Sequence, residues 1–131
     1  NKALWEAFSE FNNLKKELIE EIEDLQENRV ESEQSVFDSI RNWAKARNIY
    51  DNGDAKTQYV KLQEESGELA KGLLKDDQAE IVDAIGDMIV VLTNLAELCD
   101  TSIEECISLA YDVISKRTGK MVNGTFVKDD N

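Results

Sequence analysis

Apolar side chains in residues 2–28 recur at Leu4, Phe8, Phe11, Leu18, Ile22 and Leu25, close to a 3.5-residue period. Lys15 breaks the stripe, with Leu14 beside it. So narrow a seam predicts an amphipathic helix that needs a coiled-coil-like partner surface, with glutamate and lysine on its solvated faces. Residues 29–34, RVESEQ, interrupt the pattern and predict a polar break. A second helix is expected from about Ser35 to Asn48, with Val36, Phe37, Ile40, Trp43 and Ala44 on one side. Trp43 is expected in the core, although an indole can also stack on a base. Residues 50–54, Tyr-Asp-Asn-Gly-Asp, read as a turn with Asp54 as the next N-cap.

The third helix, about Ala55 to Lys75, carries Tyr59, Leu62, Leu69, Ala70 and Leu73 on one face and Lys61, Glu64, Glu65 and Glu68 on the adjoining stripe. Asp76 or Asp77 is expected to cap a fourth helix, about Gln78 to Cys99, which is apolar on nearly every side after Ile81 and so belongs in the middle of a bundle. Thr101-Ser102-Ile103-Glu104 reads as a capping box opening a fifth helix to about Arg117, with Ile103, Ile107, Ala110 and Ile114 inward. The period then changes, and Asn123-Gly124 between short apolar runs predicts a small terminal hairpin. The chain contains no proline, which favours long helices. The fold class is all-α: a bundle of about five helices with a small C-terminal hairpin.

A length of 131 residues suits one domain, divided here into an N-terminal packing or oligomerisation extension (1–34) and the domain proper (35–131). The formal charge of −13 disfavours binding to a nucleic-acid backbone. No apolar run approaches a membrane span and no signal peptide is visible. Two cysteines and no histidine argue against a disulfide framework, a zinc site or a His-based catalytic triad. Both thiols are expected as buried small hydrophobes in a reducing cytoplasm.

Candidate chemistry lies in residues 61–92. Glu64, Glu65 and Glu68 stand at i, i+1 and i+4 on the third helix, and Glu80, Asp83 and Asp87 at i, i+3 and i+7 on the fourth. Each trio covers one stripe of its helix, and two facing stripes would form an oxygen-rich pocket for a hard divalent cation. Taken alone, the glutamates read more simply as a solvated face. Asp87 is more telling, because it sits among Ile85, Met88, Ile89, Val90 and Val91, where an unpaired carboxylate is costly. Gly86 beside it implies close helix approach or ligand access. Carboxylate ligation without His or Cys suits Mg²⁺ or Mn²⁺, hence a phosphorylated substrate, with Glu64 placed to orient or deprotonate a water.

The segment KLQEESGELAKGL followed by EIVDAIGDMIVVLTNLAEL resembles the MazG-like all-α nucleoside triphosphate pyrophosphohydrolases, in particular the short phage-type members. Their pattern is E-E-x-x-E on one helix and an acidic pair ending in Gly-Asp on the next, and the likeness extends from about Phe37 to Asp129. It implies Mg²⁺-dependent cleavage of nucleoside triphosphates to a monophosphate and pyrophosphate, in a bundle completed by oligomerisation as a homodimer or homotetramer. It implies Glu65, Glu68 and Asp87 as ligands. Many relatives carry a further acid where this chain has Ala84; Asp83, as in short phage members, takes its place, with Glu80 as fallback. Lys116 and Arg117 resemble the basic phosphate-holding end of the last helix, and with Lys61 are assigned to substrate; their simpler reading is as charges complementing a helix C-terminus. Asp112 stands where relatives often carry Asn. Phosphoribosyl-ATP pyrophosphohydrolase is the related alternative, and a non-catalytic helical oligomerisation or binding module is the alternative of another class.

Overall fold

The computed structural model describes residues 1–130, and the side chains of all of these except 30–35. Its elements follow in order: α1 (Lys2–Ala46), α2 (Ile49–Asn52), α3 (Ala55–Leu74), α4 (Gln78–Leu98), α5 (Ile103–Ile114), β1 (Gly119–Val122) and β2 (Thr125–Lys128). The chain divides into two compact units, Asn1–Ser39 and Ile40–Asn131. The all-α class and the terminal hairpin are as the sequence predicts.

The break expected at residues 29–34 is absent: α1 is helical throughout. RVESEQ is mostly polar, but it lacks glycine and proline, and Arg, Glu and Gln are good helix formers. Losing the apolar period removes a packing face; it does not stop a helix. In the first unit every residue from 1 to 29 is exposed.

The second unit is organised by α4, which packs most extensively on α3 and also touches α2 and α5. Its core is small: Ala44, Ala84, Val91, Ala96 and Ile103, with Thr93 and Asn94 buried among them. The two polar groups are satisfied. The Thr93 hydroxyl donates to the Ile89 carbonyl at 2.8 Å, and the Tyr50 hydroxyl donates to Asn94 Oδ1 at 2.7 Å, tying α2 to α4. Trp43 is 46% exposed rather than core, its ring covered instead by the Arg47 guanidinium at 4.2 Å. Ile85, Ile89 and Ile107, expected inside, also remain exposed, as do Ala110 and Ile114.

Two αα-turns use the same device. At the end of α3, Asp76 adopts a left-handed φ of 53°, and the Asp77 amide reaches back to the Gly72 carbonyl at 2.9 Å. At the end of α4, Asp100 (φ 59°) and the Thr101 amide on the Ala96 carbonyl (3.0 Å) repeat it. This is the Schellman closure, with aspartate in place of the usual glycine. Each turn leads into a cap: Asp77 accepts from the Glu80 amide, and Ser102 accepts from the Glu105 amide. Asp54 caps α3 as expected, accepting from the Thr57 amide at 2.8 Å. The box at α5 thus begins at Ser102, one residue later than expected. Glu104 instead pairs with the end of α1, where both its oxygens accept from Arg41 at 2.7 Å each. The hairpin pairs Gly119 with Lys128 through Val122 with Thr125, and both turn residues, Asn123 and Gly124, have positive φ.

The paired Arg41 guanidinium holds the Glu104 carboxyl below the usual carboxylate range. A lowered folded-state pKa stabilises above the ordinary range and is lost as pH falls through it. Glu104→Gln should therefore cost about 1 kcal/mol at neutral pH, the low end for a charge-assisted bond at a half-exposed carboxylate. The deficit should shrink as pH is lowered, which thermal unfolding across pH will show.

Candidate metal centre

The covered stripe of α3 shares only Leu62 and Leu69 with the face its apolar residues suggest. Tyr59 and Leu73 are more than half exposed, whereas the covered positions are Leu62, Glu65, Ser66, Leu69 and Gly72. Glu65 therefore faces α4. Gly72 explains how closely the helices meet: a Cβ there would lie 3.1 Å from Ile81 Cγ1 and 3.2 Å from the Ile81 backbone nitrogen. Going back along α3 from Gly72 leads to Glu68 and then Glu65; going forward along α4 from Ile81 leads to Ala84 and then Asp87. In an antiparallel pair these series run side by side. Small residues at the seam bring the carboxylates to each other.

Among the described residues, oxygens of Glu65, Glu68 and Asp87 all come within 4.8 Å of one another. Glu65 is only 8% exposed, and its Oε2 is buried without a hydrogen-bond partner. The carboxyl of Glu65 is pushed above its ordinary range by burial first, then by a hydrogen bond with Glu68 and the charge of that residue, and by Asp87. That of Asp87 is raised by burial first, then by the charges of Asp83 and Glu68 and a hydrogen bond with Asp83. Lys61 opposes both shifts; its Nζ lies 3.9 Å from Glu65 and 3.9 Å from Glu64. A buried glutamate with one unpartnered oxygen, grouped with two further carboxylates, fits a hard divalent cation, which supplies the missing charge and ligand at once.

The remaining candidates fall outside this trio. Asp83 is exposed and adjoins Asp87 without joining the three. Glu64 is exposed and reaches the group only through Lys61. Glu80 stands one turn nearer the αα-turn, its Cβ 3.4 Å from the Cβ position of Gly72. Ala84, at the position of the further acid in many relatives, is 1% exposed and serves as a packing position. Gly86 has nothing within 4 Å of its Cβ position, so close helix approach does not explain it. The glycine that does permit approach is Gly72, which the apolar pattern does not single out, although its spacing of i+7 from Glu65 and i+4 from Glu68 is readable in the sequence.

Lys116 and Arg117 lie beyond the end of α5 and line an open groove with Val113, Thr118, Lys128 and Asp129. None of those residues belongs to the carboxylate group. Lys116 is paired with Asp112 at 3.4 Å. Cys99 and Cys106 are exposed rather than buried, both on the wall of a shallow apolar groove with Leu92, Leu95 and Ile103. No helix among the described residues is long and apolar enough to cross a membrane.

No family model and no solved structure matches the chain. It is similar to an uncharacterized 18.2 kDa protein in the rep-hol intergenic region of Haemophilus phage HP1 (strain HP1c1), 39% identical over 64 residues. The match takes in 49% of this chain and 39% of that protein, so the chain spans about two-fifths of its relative's length.

Three outcomes check this geometry. With folded-state pKa values raised, the metal-free protein should lose stability as pH rises out of the carboxylate range, because the folded state there holds more protons than the unfolded one. Asp87→Asn should raise the metal-free Tm at neutral pH and remove Mg²⁺ binding in calorimetric titration. Gly72→Val should cost about 1–3 kcal/mol by overpacking against Ile81 and should weaken Mg²⁺ binding along with it, read from unfolding and titration of the same variant.

Proposed function

We propose that the chain is a Mg²⁺-dependent nucleoside triphosphate pyrophosphohydrolase of the MazG-like kind, with Mn²⁺ able to replace Mg²⁺, acting in the cytoplasm on the nucleotide pool. The observation that carries the reading is the convergence of Glu65, Glu68 and Asp87 within 4.8 Å around a buried, unpartnered Glu65 oxygen. A trio of carboxylates gathered around one buried member has no evident structural use. The similarity to a phage protein is compatible with the resemblance to short phage-type members, but that protein is itself uncharacterized.

In this reading Glu65, Glu68 and Asp87 hold the metal, with Asp83 as the further acid. A divalent ion held there would supply charge neutralisation to phosphate and Lewis acidity to water. Glu64, outside the ligand group and next to Glu65, orients or deprotonates the attacking water. Lys61, which offsets the negative charge of the site, would be available to a substrate phosphate once a metal took over that role. Lys116 and Arg117 offer a basic wall to a polyphosphate in the groove that they line. Exposed faces on α4 and α5, at Ile85, Ile89 and Ile107, are those on which a homo-oligomer would complete the bundle.

The test is a pyrophosphate-release screen over all ribo- and deoxynucleoside triphosphates with Mg²⁺ or Mn²⁺, using added pyrophosphatase and phosphate detection. At least one nucleotide should be cleaved, and Glu68→Gln should reduce its turnover by more than about 100-fold. Failure to cleave any nucleotide with either metal would overturn the enzymatic reading.

A further inference from the structure

The first unit poses a separate physical problem, independent of the proposed activity. Leu4, Phe8, Phe11, Leu18, Ile22 and Leu25 are between 47% and 69% exposed on α1. Counting Lys15, their spacings alternate between four and three residues without a slip, which is the a/d register of a coiled coil. A helix with water on every side gains nothing from packing, so this segment needs a cover of matching length and period. A second copy of the same segment supplies both.

Two features of the sequence set the direction of pairing. Residues 17–28 carry Glu17, Glu20, Glu21, Glu23, Asp24 and Glu27 and no basic residue, whereas residues 2–16 balance Lys2, Lys15 and Lys16 against Glu6 and Glu10. Parallel pairing would set the two acidic runs side by side, roughly 10 Å apart and within a screening length. Antiparallel pairing moves them to opposite ends, on the order of 20 Å apart along the axis, each beside the other copy's nearly neutral half. The seam is also graded in size, with Phe8 and Phe11 in one half and Leu18, Ile22 and Leu25 in the other. Antiparallel pairing sets Phe8 and Phe11 against the other copy's Ile22 and Leu18, large against medium, which evens the helix spacing in those layers.

We propose that residues 4–25 of α1 are a self-association surface through which two copies of the chain pair as an antiparallel coiled coil. The test uses the full chain with Cys99→Ser and Cys106→Ser, carrying one nitroxide label at Ala3→Cys, outside the seam, and dipolar distance measurement. Antiparallel pairing predicts a defined peak at about 30–40 Å, from the axial offset of residue 3 in the two copies. Adding Phe11→Asp and Leu18→Asp should abolish that peak while leaving Mg²⁺ titration unchanged. A defined peak below about 20 Å would mean parallel pairing. That result, the absence of any defined peak, or a peak that survives the double substitution overturns the proposal.

Discussion

The closest approach of α3 and α4 rests on Gly72, whose missing Cβ leaves room for Ile81. Because the αα-turn is short and closed at Asp76, the two helices leave it at a fixed register, and everything along their seam inherits it. Ala84 takes the next layer and is almost fully buried. In the layer after that, both helices present carboxylates. Glu65, Glu68 and Asp87 meet there.

The metal-free seam therefore sets like charges against each other in a partly desolvated place. Burial and mutual repulsion raise the Glu65 and Asp87 carboxyls, and Lys61 at the edge relieves them only in part. An ordinary packing seam would avoid this arrangement, since apolar residues of similar volume would hold the helices together at less cost. Elsewhere in the unit, charge is handled differently. Arg41 and Glu104 neutralise each other through two short bonds, and the neighbouring Glu97 comes within 3.9 Å of the same guanidinium. The contrast between an acid held by two short bonds and a trio that a single lysine offsets from 3.9 Å locates the chemistry more sharply than the number of acids, which is high throughout the chain.

Much of the apolar surface stays exposed in a single chain, and it falls in two groups with different character. On α4 and α5 it consists of branched aliphatic residues beside a small core, in which Thr93 and Asn94 occupy buried space. On α1 it is a regular stripe with aromatic residues at one end. Neither is a defect of patterning. Both show amphipathic helices whose apolar faces exceed what this chain can cover by itself.

Helix class, the caps at Asp54 and Asp77, the Asn-Gly hairpin and the acidic stripes are legible because each depends on neighbours within a few residues, where side-chain period and backbone chemistry act directly. The expected break at 29–34 fails because polarity removes a packing partner without removing helix propensity. The expected burial of Trp43, Cys99 and Cys106 fails for a related reason: an apolar residue on a helix face is buried only if another element reaches over it, and among the described residues none covers these three. Which stripe of α3 faces α4, and so whether Glu65 is surface or site, depends on the register that Gly72 and the turn impose. Local sequence determined the elements and the supply of carboxylates; the crossing of two helices decided which three of them meet, because only there do burial and charge act on the same atoms.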